Sequence, residues 1–132
     1  MNIRSIVFVS IGALALPAAR AGSPAELLDS YRQSGGGEPS AQRGAQFYVR
    51  KFGVSAKLPS CASCHADSPL RPGRHVVTDK AIKPLSPAAN AERFSDLAKA
   101  EKWFRRNCTE VVGRECSAVE KADFIAFVMG GR

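Results

Sequence analysis

Methionine, histidine and tryptophan are scarce in this chain: two, two and one among 132 residues. Met1 opens the sequence and Met129 nearly closes it. No methionine is therefore available through the middle of the chain. No apolar run is long enough to cross a bilayer. The longest, Ser5 to Leu16, has 12 residues, against the roughly 20 that a spanning helix needs. There is no internal repeat and no stretch of strict apolar–polar alternation, so no convincing strand is expected. Acidic residues are the minority, 12 against 19 basic. The basic residues are scattered along the sequence, which speaks against nucleic-acid binding.

What is present is more pointed. The run Cys61-Ala62-Ser63-Cys64-His65 has the Cys-x-x-Cys-His spacing of a c-type haem attachment site. Two thiols three residues apart lie on one side of a helical turn, in reach of the two haem vinyl groups. The next residue, His65, supplies a proximal iron ligand. Two other chemistries use paired cysteines. Zinc needs a second ligand pair at similar spacing, and Cys108, Cys116 and His75 do not provide one. A thioredoxin-like dithiol sits between a strand and a helix, whereas Lys57-Leu58-Pro59-Ser60 before this motif is loop sequence. One covalent haem c is the expected cofactor.

The start of the chain reads as a secretory leader. Asn2-Ile3-Arg4 is a short positive region, the apolar run follows, and Ala19-Arg20-Ala21 offers a small-residue cleavage site. Residues 1–21 are expected to be a cleaved signal peptide, with an uncleaved anchor as the alternative. Export to the periplasm agrees with the haem motif, since bacteria attach c-type haem outside the cytoplasm. The formal charge of +7 includes Arg4 and Arg20 and no acid from the leader, so the mature side chains carry +5. Such an excess suits an acidic redox partner, and equally suits plain solubility.

Residues 22–39 read as an N-terminal capping helix and a glycine-rich linker, and residues 40–132 as the cytochrome domain. Ser23-Pro24-Ala25-Glu26 is a capping box with proline at the first helical position. Leu27, Leu28 and Tyr31 follow on one face, and Gly35-Gly36-Gly37 ends that helix. Ser40 is the next N-cap, for a helix with Gly44, Phe47, Tyr48 and Val49 on its apolar side, ending near Phe52-Gly53. Gly44 and Tyr48 put a small residue and an aromatic on adjacent turns, which allows close crossing by another helix. Five residues, Pro69, Pro72, Gly73, Pro84 and Pro87, make 66–90 mostly loop, and wrapping a haem gives so long a loop a reason. Ser95 or Asp96 caps a helix through Leu97, Trp103 and Phe104 that ends near Asn107. Ser117 to Glu120 is a second capping box, opening a last helix with Phe124, Ile125, Phe127 and Val128. The expected fold is all-α, a small class I cytochrome c-like fold around one covalent haem.

With two cysteines taken by haem, Cys108 and Cys116 remain in an exported protein, and a disulfide between them is the natural reading. A loop that short contributes about 2–3 kcal/mol by the chain-entropy argument. A free redox-active pair is the alternative. The distal iron ligand is less obvious, because neither methionine is placed for it. His75, Lys80, Lys83, Asn90 and Asn107 are the candidates. His75 stands only ten residues after His65 and would need a long excursion to reach the other face. A lysine would have to lose its proton. An asparagine amide oxygen is a weak, displaceable ligand, and from spacing alone Asn107 reads as a helix C-cap.

Several stretches carry a family resemblance: Lys80-Ala81-Ile82-Lys83-Pro84-Leu85-Ser86-Pro87, Arg93-Phe94-Ser95-Asp96, Glu101-Lys102-Trp103, Arg106-Asn107-Cys108, Gly113-Arg114-Glu115-Cys116 and Glu120-Lys121-Ala122-Asp123. Together they resemble the SHP proteins, small high-spin, oxygen-binding class I cytochromes c. The resemblance covers most of the mature chain, and the segment from Arg106 to Cys116 is its most specific part. It implies that Asn107 is a distal haem ligand, that Cys108 and Cys116 are bridged, and that Asn107 leaves the iron on reduction so that O2 or NO can bind. Trp103 and Phe104, one turn earlier, would then wall that pocket, or serve as plain core aromatics. It also implies a dihaem cytochrome c or a membrane b-type cytochrome as electron donor. Gas binding alone and turnover of O2 or NO both remain open on this reading, as does a conventional low-spin electron carrier.

Overall fold

The computed structural model describes residues 22–35 and 37–130. The proposed signal segment, 1–21, lies outside the described residues. Among the described residues are five helices and one minimal hairpin: α1 (Pro24–Gly35), α2 (Ala41–Val49), α3 (Ala62–His65), β1 (Gly73–Arg74), β2 (Ala81–Ile82), α4 (Leu97–Val111) and α5 (Ala118–Gly130). No described helix is long and apolar enough to cross a membrane.

The helix starts follow the side-chain chemistry. At α1 the Glu26 backbone N–H donates to Ser23 Oγ (3.1 Å) while the Ser23 N–H donates to Glu26 Oε2 (2.8 Å). The same reciprocal pair opens α5, between Ser117 and Glu120 (3.2 and 2.8 Å). Ser40 caps α2 through the Arg43 N–H, and Asp96, rather than Ser95, caps α4 through the Lys99 N–H. Each such cap satisfies donors the helix itself leaves without partners, and is worth about 1 kcal/mol.

Helix α5 is the centre of the molecule. Ala122, Asp123, Phe124, Ile125, Phe127 and Val128 are all buried, so it is covered on nearly every side. Helices α1 and α2 pack against it, with Leu27 and Tyr31 of α1 and Tyr48 of α2 in the same core. Helix α4 adds a stripe of Ala100, Phe104 and Cys108, each one turn after the last. The aromatic rings meet edge to face: Tyr31 on Phe104 at 5.7 Å and Phe104 on Phe124 at 5.6 Å between centroids.

Gly44 does what its spacing predicted. A Cβ there would come within 3.0 Å of the Asp123 carbonyl and of Phe127, so only glycine allows α2 and α5 to cross this closely. Gly44→Val is expected to cost the haem-loaded protein about 3 kcal/mol through overpacking, read as a lowered denaturant midpoint.

The structure departs from the sequence expectation in three places. Helix α2 stops at Val49, short of Phe52, because Arg50 turns extended (φ −63°, ψ 131°). Val49 is consequently on the outside, 57% exposed, and not on the apolar face. The loop 66–90 holds an antiparallel hairpin pairing Gly73 with Ile82 and Arg74 with Ala81. Strands of two residues leave no periodicity to detect. Helix α4 runs four residues past Asn107 to Val111, where Gly113 in the left-handed region (φ 81°) and the Gly113 N–H donating to the Cys108 carbonyl close it.

Candidate functional site

The Cys-x-x-Cys-His segment forms one helical turn. The Cys64 and His65 N–H groups both donate to the Cys61 carbonyl (3.2 and 3.1 Å), and the Ser63 N–H donates to that of Ser60. Cys61 and Cys64 thus stand one turn apart, and neither is in a disulfide. The preceding loop is closed by the Phe52 N–H on the Pro59 carbonyl (3.0 Å), and the Ser60 and Ser63 hydroxyls bond each other (2.9 Å). Ala66 then takes a left-handed conformation (φ 65°), which ends the turn and reverses the chain.

Two contacts pin this turn from behind. The Tyr48 hydroxyl, on a fully buried side chain, donates toward the carbonyls of Ala66 (2.6 Å) and His65 (2.9 Å). Burial pushes that phenol up from its ordinary range, so it stays a donor. On the other side Gly73 lies so close that a Cβ would clash with the Cys64 carbonyl and the His65 Cα. This is the packing reason for glycine at the start of the hairpin. Further along, the Ser86 N–H donates to the Pro69 carbonyl (2.8 Å), and Arg93 donates to the carbonyls of Pro84 (2.8 Å) and Lys83 (2.7 Å). The 66–90 loop is thereby folded back over the motif.

The electrostatics favour a neutral imidazole. Burial pushes His65 down to about 4, helped by the positive charge of Arg93 and by His75. Neither His65 ring nitrogen has a hydrogen-bond partner among the described residues. Burial likewise pushes Cys61 up to about 11. Two unbridged thiols and an unprotonated imidazole on one turn fit covalent haem attachment: the thiols for the vinyl groups, the imidazole for the iron. Among the described residues no group of three or more His, Cys, Asp or Glu is arranged to hold a metal ion directly.

The other candidates are spread around the molecule. His75 lies in the hairpin turn, where its Nδ1 accepts from the N–H groups of Val77 (3.2 Å) and Thr78 (3.3 Å). The hairpin packs on α3, so His75 stands on the His65 side of the motif. Lys80 and Lys83 are exposed, and Lys83 pairs with Glu92 (3.3 Å). The Asn90 amide donates to the Pro84 carbonyl (3.4 Å). Asn107 is not a C-cap; it projects from the exposed side of α4, and its neighbour Cys108 is buried. Cys108 and Cys116 form the expected disulfide, Cα to Cα 5.7 Å. Trp103, one turn before Asn107, is 43% exposed with the Arg106 guanidinium 5.7 Å above its ring, so it is not a core aromatic; Phe104 is. Met129 is exposed at the end of α5.

Sequence reasoning missed Arg93, Tyr48 as a donor and, above all, Asp123. Asp123 is buried on α5 and accepts from the Ser40 N–H (2.6 Å) and from Arg43 Nε (2.7 Å) and Nη2 (2.8 Å). Partners 80 and 83 positions apart leave no local signal.

A helical domain with N- and C-terminal elements crossing beside a Cys-x-x-Cys-His turn defines the class: a small class I c-type cytochrome. The comparisons narrow it. The family described as domain of unknown function DUF1924 matches residues 34–128. The cytochrome c-type protein SHP of Cereibacter sphaeroides is 42% identical over 107 residues, covering 80% of this chain and 82% of that protein. The structure of oxidised SHP, described as an oxygen-binding cytochrome c, superposes with a TM-score of 0.79 at 39% identity, over 83% of this chain and 97% of that one. The solution structure of cytochrome c'' from Methylophilus methylotrophus, reported for its insights into haem-ligand detachment, gives 0.70 at 36% identity, over 80% of this chain and 91% of that one. The chain belongs to the DUF1924 family and is an SHP-type cytochrome c, a class whose haem is covalently bound.

Proposed function

We propose that this protein is a periplasmic monohaem cytochrome that binds a diatomic gas, O2 or NO, in its reduced state at a position guarded by Asn107. Cys61 and Cys64 tether the haem, and His65 is its proximal ligand. The haem supplies one-electron redox chemistry and an iron site for the gas. With haem bound, Asn107 would offer its amide oxygen to the oxidised iron as a weak, displaceable ligand, and on reduction its amide N–H would be free to donate to a gas, with Trp103 beside it as pocket wall.

One observation carries this reading. Asn107 stands on the exposed side of α4, and the next residue is fixed in the core by the Cys108–Cys116 disulfide. The side chain is presented by a rigid helix, yet nothing else in the described protein holds it. Support comes from the relatives, one described as oxygen-binding and the other studied for haem-ligand detachment. A low-spin carrier with His75 as second ligand is disfavoured, because His75 caps its own turn on the His65 side. Electrons enter from a dihaem cytochrome c or a membrane b-type cytochrome, and the leader at 1–21 directs export. Asn107→Ala is expected to alter the ferric spectrum while leaving the haem content within about twofold. An unaltered ferric spectrum excludes Asn107 as a ligand.

A further inference from the structure

Helix α4 is held to the rest of the molecule differently from its neighbours. Helices α1 and α2 run close along α5, whereas no described helix comes that close to α4. Side chains make most of its connection. Ala100 and Phe104 reach the core, and Cys108 is bridged to Cys116 just before α5. Among the described residues two ion pairs also leave the helix. Arg105 to Glu115 (3.6 Å) is exposed on both sides, 73% and 72%, so it adds little. Glu101 to Lys121 of α5 (2.8 Å) differs, because the Lys121 side chain is only 15% exposed.

Lys121 is fixed from three directions. Its ammonium lies over the Tyr31 ring of α1 (5.2 Å to the centroid) and the Phe104 ring of α4 (5.8 Å), and it donates to the Glu101 carboxylate. A cation over ring faces is worth more when desolvated than in water. Burial disfavours the charged form of Glu101, yet the Lys121 ammonium holds its carboxyl below the ordinary range. The pair therefore joins α1, α4 and α5 at one point. Glu101 lies two turns before Cys108, so the two ties on α4 stand about 10 Å apart. The disulfide fixes where the helix sits, and the pair on its flank fixes how it is turned. Asn107 lies between them, beside Cys108, and the turn of the helix aims its side chain.

We propose that the Lys121–Glu101 pair is a strut that positions Asn107, setting the rotation of α4 so that the amide is presented to the distal side of the haem. This rests on the Asn107 reading above and deepens it, by naming the residues that hold the ligand-bearing helix in place. Lys121 and Glu101 touch no reacting atom; they are positioning residues that act through the helix. A weak ligand tolerates little misplacement, since a productive geometry has to be held to within about 0.5 Å. With the pair broken, α4 keeps its disulfide and its Phe104 contacts, so the fold survives, but Asn107 competes less well for the iron. The pair thereby sets how readily an outside ligand takes the position.

Imidazole titration of the haem-loaded ferric protein, followed by its optical spectrum, tests the strut, because imidazole has to displace Asn107. Lys121→Met keeps the aliphatic stem on the two rings, and Glu101→Gln alters the more exposed partner. Each is expected to tighten imidazole binding by roughly fivefold or more, the size of coupling found between interacting residues. Asn107→Ala sets the ceiling, and adding Lys121→Met to it should tighten imidazole no further. Lys121→Arg, which keeps the charge, should stay closer to wild type than Lys121→Met. Asp123→Ala loosens the α2–α5 crossing and leaves α4 alone, so it should stay within about twofold of wild type. The proposal is overturned if Lys121→Met and Glu101→Gln both stay within about twofold of wild type. It is also overturned if Lys121→Met tightens imidazole equally with Asn107 already removed, or if Asp123→Ala tightens it as much. An Asn107→Ala variant with unchanged ferric spectrum and imidazole affinity brings down the ligand reading, and the strut with it. Tightening by Asn107→Ala but not by the pair variants brings down the strut alone.

Discussion

Replacing Cys61 and Cys64 together by serine should abolish covalent haem altogether and leave a poorly folded chain. The reasoning runs through both tether and core. Serine keeps the size of the side chain but removes the sulfur that forms the thioether. His65 alone would give at best a dissociable haem. The loss spreads to the fold because the chain is small and its core is thin, centred on α5 and the rings of Tyr31, Tyr48, Phe104, Phe124 and Phe127. A permanently bound apolar cofactor adds buried area that the unfolded chain cannot match, so its removal shifts the folding equilibrium strongly. Haem staining of the denatured protein should show no band for this variant, and near-ultraviolet circular dichroism should be largely lost. The matched control is Cys108→Ser with Cys116→Ser. It should keep the haem band and lose about 2–3 kcal/mol of stability by the loop-entropy argument. A retained band in the first variant would refute covalent attachment at this motif.

Asp123→Ala should destabilise the domain away from the haem about as much as Gly44→Val. Its carboxylate is buried and accepts three hydrogen bonds, one from the Ser40 N–H at the start of α2 and two from Arg43. Truncation leaves the Ser40 N–H without a partner, removes the ion pair and opens a gap beside the Gly44 crossing. A cost of about 3 kcal/mol is expected. That is a large share of the roughly 5–15 kcal/mol typical of such domains. Asp123→Asn keeps an acceptor and the volume, so it should lose clearly less. Denaturant unfolding of the haem-loaded variants, followed by far-ultraviolet circular dichroism, gives both numbers. Equal loss in the two variants would show that volume, and not the hydrogen-bonded carboxylate, sets the cost.

What could be seen from the sequence was local. The haem turn, the capping boxes at Ser23 and Ser117, the Ser40 cap and the Gly44–Tyr48 spacing are each written within five residues, and the structure realises all of them. What could not be seen was long-range or too short to be periodic. The Asp123–Arg43 pair joins residues 80 apart. The Tyr48 hydroxyl reaches 17 residues on to the His65 carbonyl, although the ring itself had been placed at the crossing. The hairpin has two-residue strands. From spacing alone Asn107 reads as a helix C-cap, since asparagine is common where helices end. The buried Cys108, one turn after Phe104, instead carries the apolar stripe of α4 onward.

The central claim, a reduced haem open to a gas because Asn107 lets go, is tested most directly by optical spectra of the exported, haem-loaded protein. Ferric and then dithionite-reduced samples are recorded with and without carbon monoxide. The account predicts a high-spin ferrous spectrum that shifts when carbon monoxide is added. A sharp low-spin ferrous spectrum, indifferent to carbon monoxide, would contradict it and make the protein an electron carrier with two strong axial ligands.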